Sequence, residues 1–288
     1  MKNSIIVYQL SRADPRHPPQ AALRQSAGVA KTRQFPYYLQ TGEYMAGKHD
    51  LKIAELKNEI AASPGKAELY VELGLVCYAA KNPQDALAAF DKAIELAPAQ
   101  AASHNNRGIM LSALKRYAEA AESFNKAIDL DPAYAGAYNN LGVALAADGR
   151  LDDAVGAYRK AVELAPEFAH ALRNLCKGLE EQKKLPEAIA AYRALEAVTW
   201  RQLWKDHNLE PDTVLPGMIA ECRDVLQTHP DDTAHLVFLG RALLHENKAA
   251  EAVGLFQKVI EAEKDNSDAH YLLAIALIES KARSGPEN

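Results

Sequence analysis

A pattern that recurs every 34 residues constrains this chain more than any other feature. Pro98, Pro132 and Pro166 are spaced by that interval, and each closes a similar run: AIELAP, AIDLDP or AVELAP. Counting back from each proline gives a glycine, an alanine, an aromatic residue and a second alanine at fixed intervals. These sets are Gly74, Ala86, Phe90 and Ala93; Gly108, Ala120, Phe124 and Ala127; and Gly142, Ala154, Tyr158 and Ala161. A fixed period of this length predicts an array of similar supersecondary units.

Each repeated position has a physical reason in a pair of antiparallel helices. Small residues suit the point where two helices cross, because a larger side chain there would push the axes beyond their usual separation of about 8–10 Å. Leucines and aromatic residues fill the space between the helices. Proline ends the second helix of a pair, because it lacks an N–H and clashes inside a helix. The pattern therefore predicts helix pairs joined by short polar turns.

This spacing of Leu-Gly, Ala, aromatic, Ala and Pro resembles that of the tetratricopeptide repeat (TPR) family. Three successive repeats carry it in register. The resemblance implies an all-α fold, a right-handed TPR superhelix (α-solenoid) of antiparallel helix pairs. It also implies a non-catalytic protein that binds other proteins.

The repeat register divides the chain into five segments. A fourth repeat has Cys176 in place of the crossing glycine, and no Pro or Gly lies between Pro186 and His207, so its second helix is expected to be long. The first segment is rich in proline and basic residues, which leaves open a flexible arm or a docking arm. The expected segments are an N-terminal arm at 1–46, a lone helix at 50–64, TPR repeats one to four at 67–198, an irregular repeat at 199–232, and a repeat with a terminal helix at 233–281.

The charge distribution argues against general nucleic-acid binding. Residues 1–46 hold six basic and two acidic residues, which leaves 27 basic and 36 acidic residues in the rest of the chain. No run approaches the roughly 20 apolar residues of a membrane span. The odd number of widely spaced cysteines fits thiols in a reducing compartment. We therefore expect a cytoplasmic protein without a membrane span.

Residues that could carry out catalysis do not form a recognisable motif. The sequence has no Gly-rich phosphate loop, HExxH, GxSxG or CxxC. Histidines recur early in predicted first helices, but stacked helices would hold them roughly 10 Å apart, which is too far for one metal ion. The sequence thus predicts no enzyme activity, no cofactor and no metal site.

Paired asparagines recur near the middle of two first helices, although Asn is a weak helix former. Asn105 and Asn139 take the fifth position of their repeats, and Asn106, Asn140 and Asn174 take the sixth. In TPR proteins these positions face the concave surface. The row resembles the TPR region of O-linked N-acetylglucosamine transferase, where amides hold an extended peptide by its backbone.

Two roles for this row remain open: binding a peptide, or bonding neighbouring helices. An exposed row would cost affinity rather than stability when it is replaced by alanine. Nearby basic residues would favour a ligand with an acidic part. The expected peptide-binding residues are Asn105, Asn106, Asn139, Asn140, Arg173, Asn174, Lys177 and Arg241.

The last predicted helix, HYLLAIALIE, is apolar on nearly every side. Terminal repeats of solenoids usually present a polar outer face. Either the short tail SKARSGPEN folds back over this helix, or a partner or second copy of the chain covers it. The expected interface residues are Tyr271, Ile275 and Ile278.

These features together favour a non-catalytic interaction scaffold that binds a peptide or protein segment on its concave face. Two alternatives remain: a permanently bound accessory subunit of an enzyme complex, or a self-assembling structural protein. The inference from fold to binding is an analogy.

Overall fold

The computed structural model describes residues 37–206 and 210–284, and that part of the chain is built of helices without a strand. Its thirteen helices are α1 (Tyr37–Ala62), α2 (Ala67–Ala79), α3 (Pro83–Leu96), α4 (Ala101–Ala113), α5 (Tyr117–Leu130), α6 (Ala135–Ala147), α7 (Leu151–Leu164), α8 (Ala169–Glu181), α9 (Leu185–Asp206), α10 (Pro211–Thr228), α11 (Thr233–His245), α12 (Ala249–Ala262) and α13 (Ser267–Ser284). The predicted all-α class is confirmed.

The described helices form two compact units. The N-terminal unit contains α1–α8, in which each helix packs against the next, as expected for stacked helix pairs. The C-terminal unit contains α9–α13, in which α10, α11, α12 and α13 pack in succession and α9 also contacts α13.

The repeated glycines lie where an aromatic ring of the second helix reaches the first helix, as the sequence predicted. A methyl group at Gly108 would lie 2.6 Å from Cε1 of Phe124, and one at Gly142 would lie 2.5 Å from Cε1 of Tyr158. Real Cβ atoms do not approach rings so closely, so only glycine fits without a shift of the ring or the helix. The same approach occurs at Gly74 over Phe90 and at Gly240 over Phe256.

The turns inside the repeats share one backbone device. Two residues after the end of each first helix inside a repeat lies a residue with positive φ, which is Lys115 in the second repeat and Gly149 in the third. The next N–H then donates to a carbonyl five residues back, as from Arg116 to Leu111 and from Arg150 to Leu145, both at 2.9 Å. This is the Schellman pattern, which satisfies carbonyls at the end of a helix.

The helix bounds differ from the expected segments at the start of α1 and at the end of α9, which continues to Asp206, past the expected boundary after residue 198. Helix α1 begins at Tyr37 rather than near Asp50, so it includes the end of the segment expected to be an arm. Residues 1–36 of that arm lie outside the described part. Helix α9 spans 22 residues, which agrees with the expectation of a long helix there.

Candidate functional site

The first helices of the N-terminal repeats, α2, α4, α6 and α8, carry one set of side chains that recur at the same repeat positions. We call this set the first-helix face. Spacings of three, four and seven residues place its members on one side of each helix, apart from Arg173 and Asn174, which are adjacent. It comprises Val71, Leu75 and Tyr78 on α2; Asn106 and Ile109 on α4; Asn140 and Val143 on α6; and Arg173, Asn174 and Lys177 on α8.

Asparagine side chains join successive first helices along this face. Nδ2 of Asn140 donates to Oδ1 of Asn105 over 3.0 Å, and Nδ2 of Asn174 donates to Oδ1 of Asn139 over 2.9 Å. Each bond therefore links the sixth position of one repeat to the fifth position of the repeat before it. Asn106 makes no side-chain hydrogen bond to the residues that the structure describes.

Burial divides these asparagines into two groups. Asn105 and Asn139 are only 5% and 8% exposed, so their carbonyl oxygens depend on the donors from the next repeat. Asn106, Asn140 and Asn174 are half-buried at the edge of the face. The expectation that alanine at the sixth position leaves no buried group unsatisfied is therefore wrong for Asn140 and Asn174.

Large apolar side chains are exposed on the same first-helix face. Leu75 is 48% exposed, Tyr78 50% and Val143 43%, while Ile109 is half-buried. Leu75, Ile109 and Val143 each follow directly after the crossing glycine of their repeats, so they occupy equivalent places on successive helices. A row of apolar groups facing solvent is typical of an interaction surface.

Positive charge lies on α8, the last first helix of the N-terminal unit. The side chain of Lys177 is 76% exposed, and its Nζ lies 3.9 Å from a carboxylate oxygen of Glu181. A contact of that length between exposed groups contributes little. Arg173 lies one turn earlier on the same helix and is half-buried.

Arg241 does not serve the exposed role predicted from the sequence. It lies on α11 in the C-terminal unit, is 8% exposed, and donates from Nε to Glu196 over 2.8 Å and from a second guanidinium nitrogen to the other oxygen of that carboxylate. Burial alone would lower the pKa of Arg241, but the charge and hydrogen bonds of Glu196 raise it above its ordinary value. Its guanidinium is thus committed to a bidentate pair.

The terminal helix α13 is largely covered by the chain itself, which corrects the predicted interface. Tyr271 stacks on Tyr192 of α9, with ring centroids 5.2 Å apart and planes 13° apart. Ile275 is 4% exposed. Only Ile278, at 50% exposed, keeps an open surface among the three predicted residues.

The residues of α9 that meet α11 and α13 were missed by the sequence reasoning. Tyr192, Glu196 and Trp200 are spaced by four residues and therefore share one side of α9. This spacing inside a long helix could have indicated that one side of α9 packs against other helices. A cavity of about 380 Å³ remains beside them, and it is lined by charged pairs, both tryptophans and His245.

Among the side chains that the structure describes, no three His, Cys, Asp or Glu residues gather in a way that could hold a metal ion. His104 is buried, with Nε2 2.9 Å from the carbonyl oxygen of Pro98. None of the described helices is both long enough and apolar enough to cross a membrane.

Comparisons with solved structures agree with this fold. The chain is similar to MamA at 23% identity and a TM-score of 0.52, over 60% of this chain and 98% of that one. The MamA of Desulfovibrio magneticus RS-1 gives 22% identity and a TM-score of 0.51, over 57% and 94%. YrrB, described as a TPR protein with an unusual peptide-binding site, gives 18% and 0.47, over 78% and 97%. No curated protein matches the chain.

Family models account for most of the sequence. Models of the tetratricopeptide repeat match residues 67–133, 105–167, 139–201, 219–274 and 243–284. The matches span the helix pairs of both units, including the repeats whose glycines and aromatic rings are in contact. The chain belongs to the tetratricopeptide repeat family.

Proposed function

We propose that this protein is a non-catalytic interaction scaffold and that its first-helix face binds an extended segment of a partner protein. The observation that carries the proposal is the row of exposed apolar side chains at equivalent places on successive first helices. Leu75 and Val143 are almost half exposed, although their side chains favour burial. A bound segment would remove this apolar area from water.

The polar groups of the face suit a peptide backbone. An amide both donates and accepts, so it matches the peptide unit without requiring a particular side chain. Asn106 has this capacity uncommitted, whereas Asn140 and Asn174 each spend a donor on the neighbouring repeat. The peptide-binding role therefore rests most on Asn106, and Asn140 and Asn174 would contribute their remaining groups.

The order of groups along the face indicates the kind of ligand. Apolar side chains dominate α2, α4 and α6, and positive charge follows on α8 with Lys177. We expect a segment whose apolar residues lie on the first three repeats and whose acidic residues reach the fourth. The acidic body of the chain argues against nucleic acid as the ligand. A cytoplasmic location belongs to the same proposal and is supported by three free, buried cysteines.

A matched pair of variants tests the proposal. Val143→Asp places a charge in the row of exposed apolar side chains, at a residue that is 43% exposed. Leu164→Asp places the same charge at a leucine that is 36% exposed but lies on a second helix, α7. Tagged wild-type and variant chains would capture partners from native-cell extract for mass spectrometry. Peptides that tile the captured protein would then be titrated by calorimetry.

We expect Val143→Asp to weaken the best peptide at least tenfold and Leu164→Asp to leave it unchanged, with equal helix content by circular dichroism. Equal affinity of both variants would refute binding at the first-helix face. A captured enzyme that remains at fixed stoichiometry through a salt wash would instead support the accessory-subunit alternative.

A further inference from the structure

Helix α9 lies against the first helices of the C-terminal unit, α11 and α13. One side of α9 supplies the contacts. Tyr192 stacks on Tyr271, Glu196 pairs with Arg241, and Arg193 lies 2.9 Å from Glu279. Trp200, one turn beyond Glu196, lies 5.9 Å from the ring of Phe238 and 5.8 Å from that of His245.

The surface that α9 covers corresponds, within its own unit, to the first-helix face of the N-terminal unit. Arg241 follows directly after the crossing Gly240, as Leu75, Ile109 and Val143 follow their glycines. Those apolar residues are exposed or half-buried, whereas Arg241 is 8% exposed. The same repeat position is therefore open in one unit and filled by a helix in the other.

The fit of α9 in this groove is incomplete. The cavity of about 380 Å³ lies beside Trp200 and Trp204. Trp204 is 6% exposed, yet its indole N–H has no acceptor among the described residues. Because this indole N–H is buried without an acceptor, α9 gains less stability by binding there than a helix with every buried donor paired would.

We propose that the groove formed by α11 and α13 is a helix-binding site, which α9 fills when no partner is bound. The partner is a helix that carries an aromatic residue, a Glu and a second aromatic residue at positions i, i+4 and i+8. Binding of this helix displaces α9. The carboxylate is the selective element. Arg241 is buried, and a buried guanidinium without its counter-charge is costly, so a competing helix must bring a carboxylate to the same place. The aromatic residues on either side replace Tyr192 and Trp200.

The chain contains its own reporter for this exchange. Both of its tryptophans, Trp200 and Trp204, lie on α9. Displacement of α9 exposes them to water and shifts their emission to longer wavelength. The probe is a synthetic peptide of residues 185–206 with both tryptophans replaced by phenylalanine, so that only the chain fluoresces.

Helix α9 competes with the peptide from within the same molecule, so a chain in which α9 is loosened should bind the peptide at a lower concentration. The peptide is therefore titrated into three full-length chains. These are the wild type, Glu196→Gln, which loosens α9, and Glu187→Gln, which removes an exposed carboxylate from the same helix. We expect the red shift to occur at a peptide concentration at least tenfold lower for Glu196→Gln than for the other two chains. The peptide carrying Glu196→Gln should be at least tenfold weaker than the peptide carrying Glu187→Gln.

Tyr192→Leu provides a second chain in which α9 is loosened, because it removes the ring stack without leaving a buried charge unpaired. It replaces Glu196→Gln if circular dichroism shows that the Glu196→Gln chain does not fold. Equal potency of the two glutamine peptides would overturn the proposed carboxylate selectivity. Absence of a red shift in both loosened chains at saturating peptide would overturn the helix-binding site itself. Neither result depends on Val143 or the first-helix face.

Discussion

The asparagine bonds between repeats make a prediction that separates structural from ligand-binding residues. Asn140→Ala removes the hydrogen-bond donor to Oδ1 of Asn105. Because Asn105 is only 5% exposed, this oxygen cannot bond to water instead. Asn174→Ala does the same to Asn139. Asn106→Ala removes an amide that bonds to no other described residue. The three substitutions are chemically identical, so they control for one another.

The size of the effect follows from what each variant leaves behind. A buried acceptor without a donor costs about 1–3 kcal/mol. Alanine offsets about 0.5 kcal/mol of that through its better helix propensity. We therefore expect Asn140→Ala and Asn174→Ala each to lower the free energy of unfolding by about 1.5 kcal/mol. Asn106→Ala should stay within about 0.5 kcal/mol of the wild type.

Urea unfolding followed by far-ultraviolet circular dichroism measures these differences as shifts in the midpoint. A double-mutant cycle with Asn105→Ala and Asn140→Ala adds a direct test, because removal of both partners leaves no orphaned acceptor. We expect a coupling of at least about 0.5 kcal/mol. The reasoning is wrong if the coupling is zero, or if Asn106→Ala destabilises the protein as much as Asn140→Ala does.

Three further predictions test the packing and the titrating groups. Gly142→Ala should destabilise by about 1–3 kcal/mol because its methyl group would meet Tyr158, whereas Gly156→Ala, which has open space, should stabilise by about 0.5–1 kcal/mol; thermal unfolding compares them. Asp232 caps the start of α11, where its carboxylate accepts a hydrogen bond from the backbone N–H of His235. Burial raises the pKa of Asp232, but hydrogen bonds from His235 outweigh it and hold the pKa below its ordinary value. The stability from this cap is therefore present above about pH 4 and lost as the pH falls through the lowered pKa. Melting temperatures of the wild type and Asp232→Asn should therefore converge at low pH. Burial shields Cys77, Cys176 and Cys222 and raises the pKa of the Cys222 thiol to about 12. Ellman's reagent at pH 8 should therefore label no cysteine until urea unfolds the chain.

The sequence was sufficient for the parts of the fold that depend on local spacing. Gly108 and Phe124 are in contact because the repeat places them on paired helices that the turn brings together. The row of asparagines was also predictable from the register. Bonding between neighbouring helices was one of the two roles that the sequence left open, but the sequence could not select it. A donor at the sixth position reaches an acceptor at the fifth only for a particular rotation between successive repeats.

The groove in which α9 packs could not be predicted from the sequence, for a similar reason. Its length followed from the absence of Pro and Gly, and its spacing of Tyr192, Glu196 and Trp200 marks one side of a helix. Which groove receives that side depends on a residue 45 positions away, Arg241. Taken alone, Arg241 resembled a groove residue available to a ligand, because a sequence gives the place of a charge but not its partner.

Comparison of Val143 with Arg241 indicates why one fold would present two surfaces of different selectivity. Both follow a crossing glycine on a first helix. Val143 offers exposed apolar area beside amides. Under the proposed function this surface would accept many extended segments, because neither group requires a specific partner. Arg241 is buried and needs a carboxylate at one position, so most helices would be rejected by the cost of an unpaired charge. Under these two proposals, selectivity would come from the charge that is buried at the repeat position and not from the repeat itself.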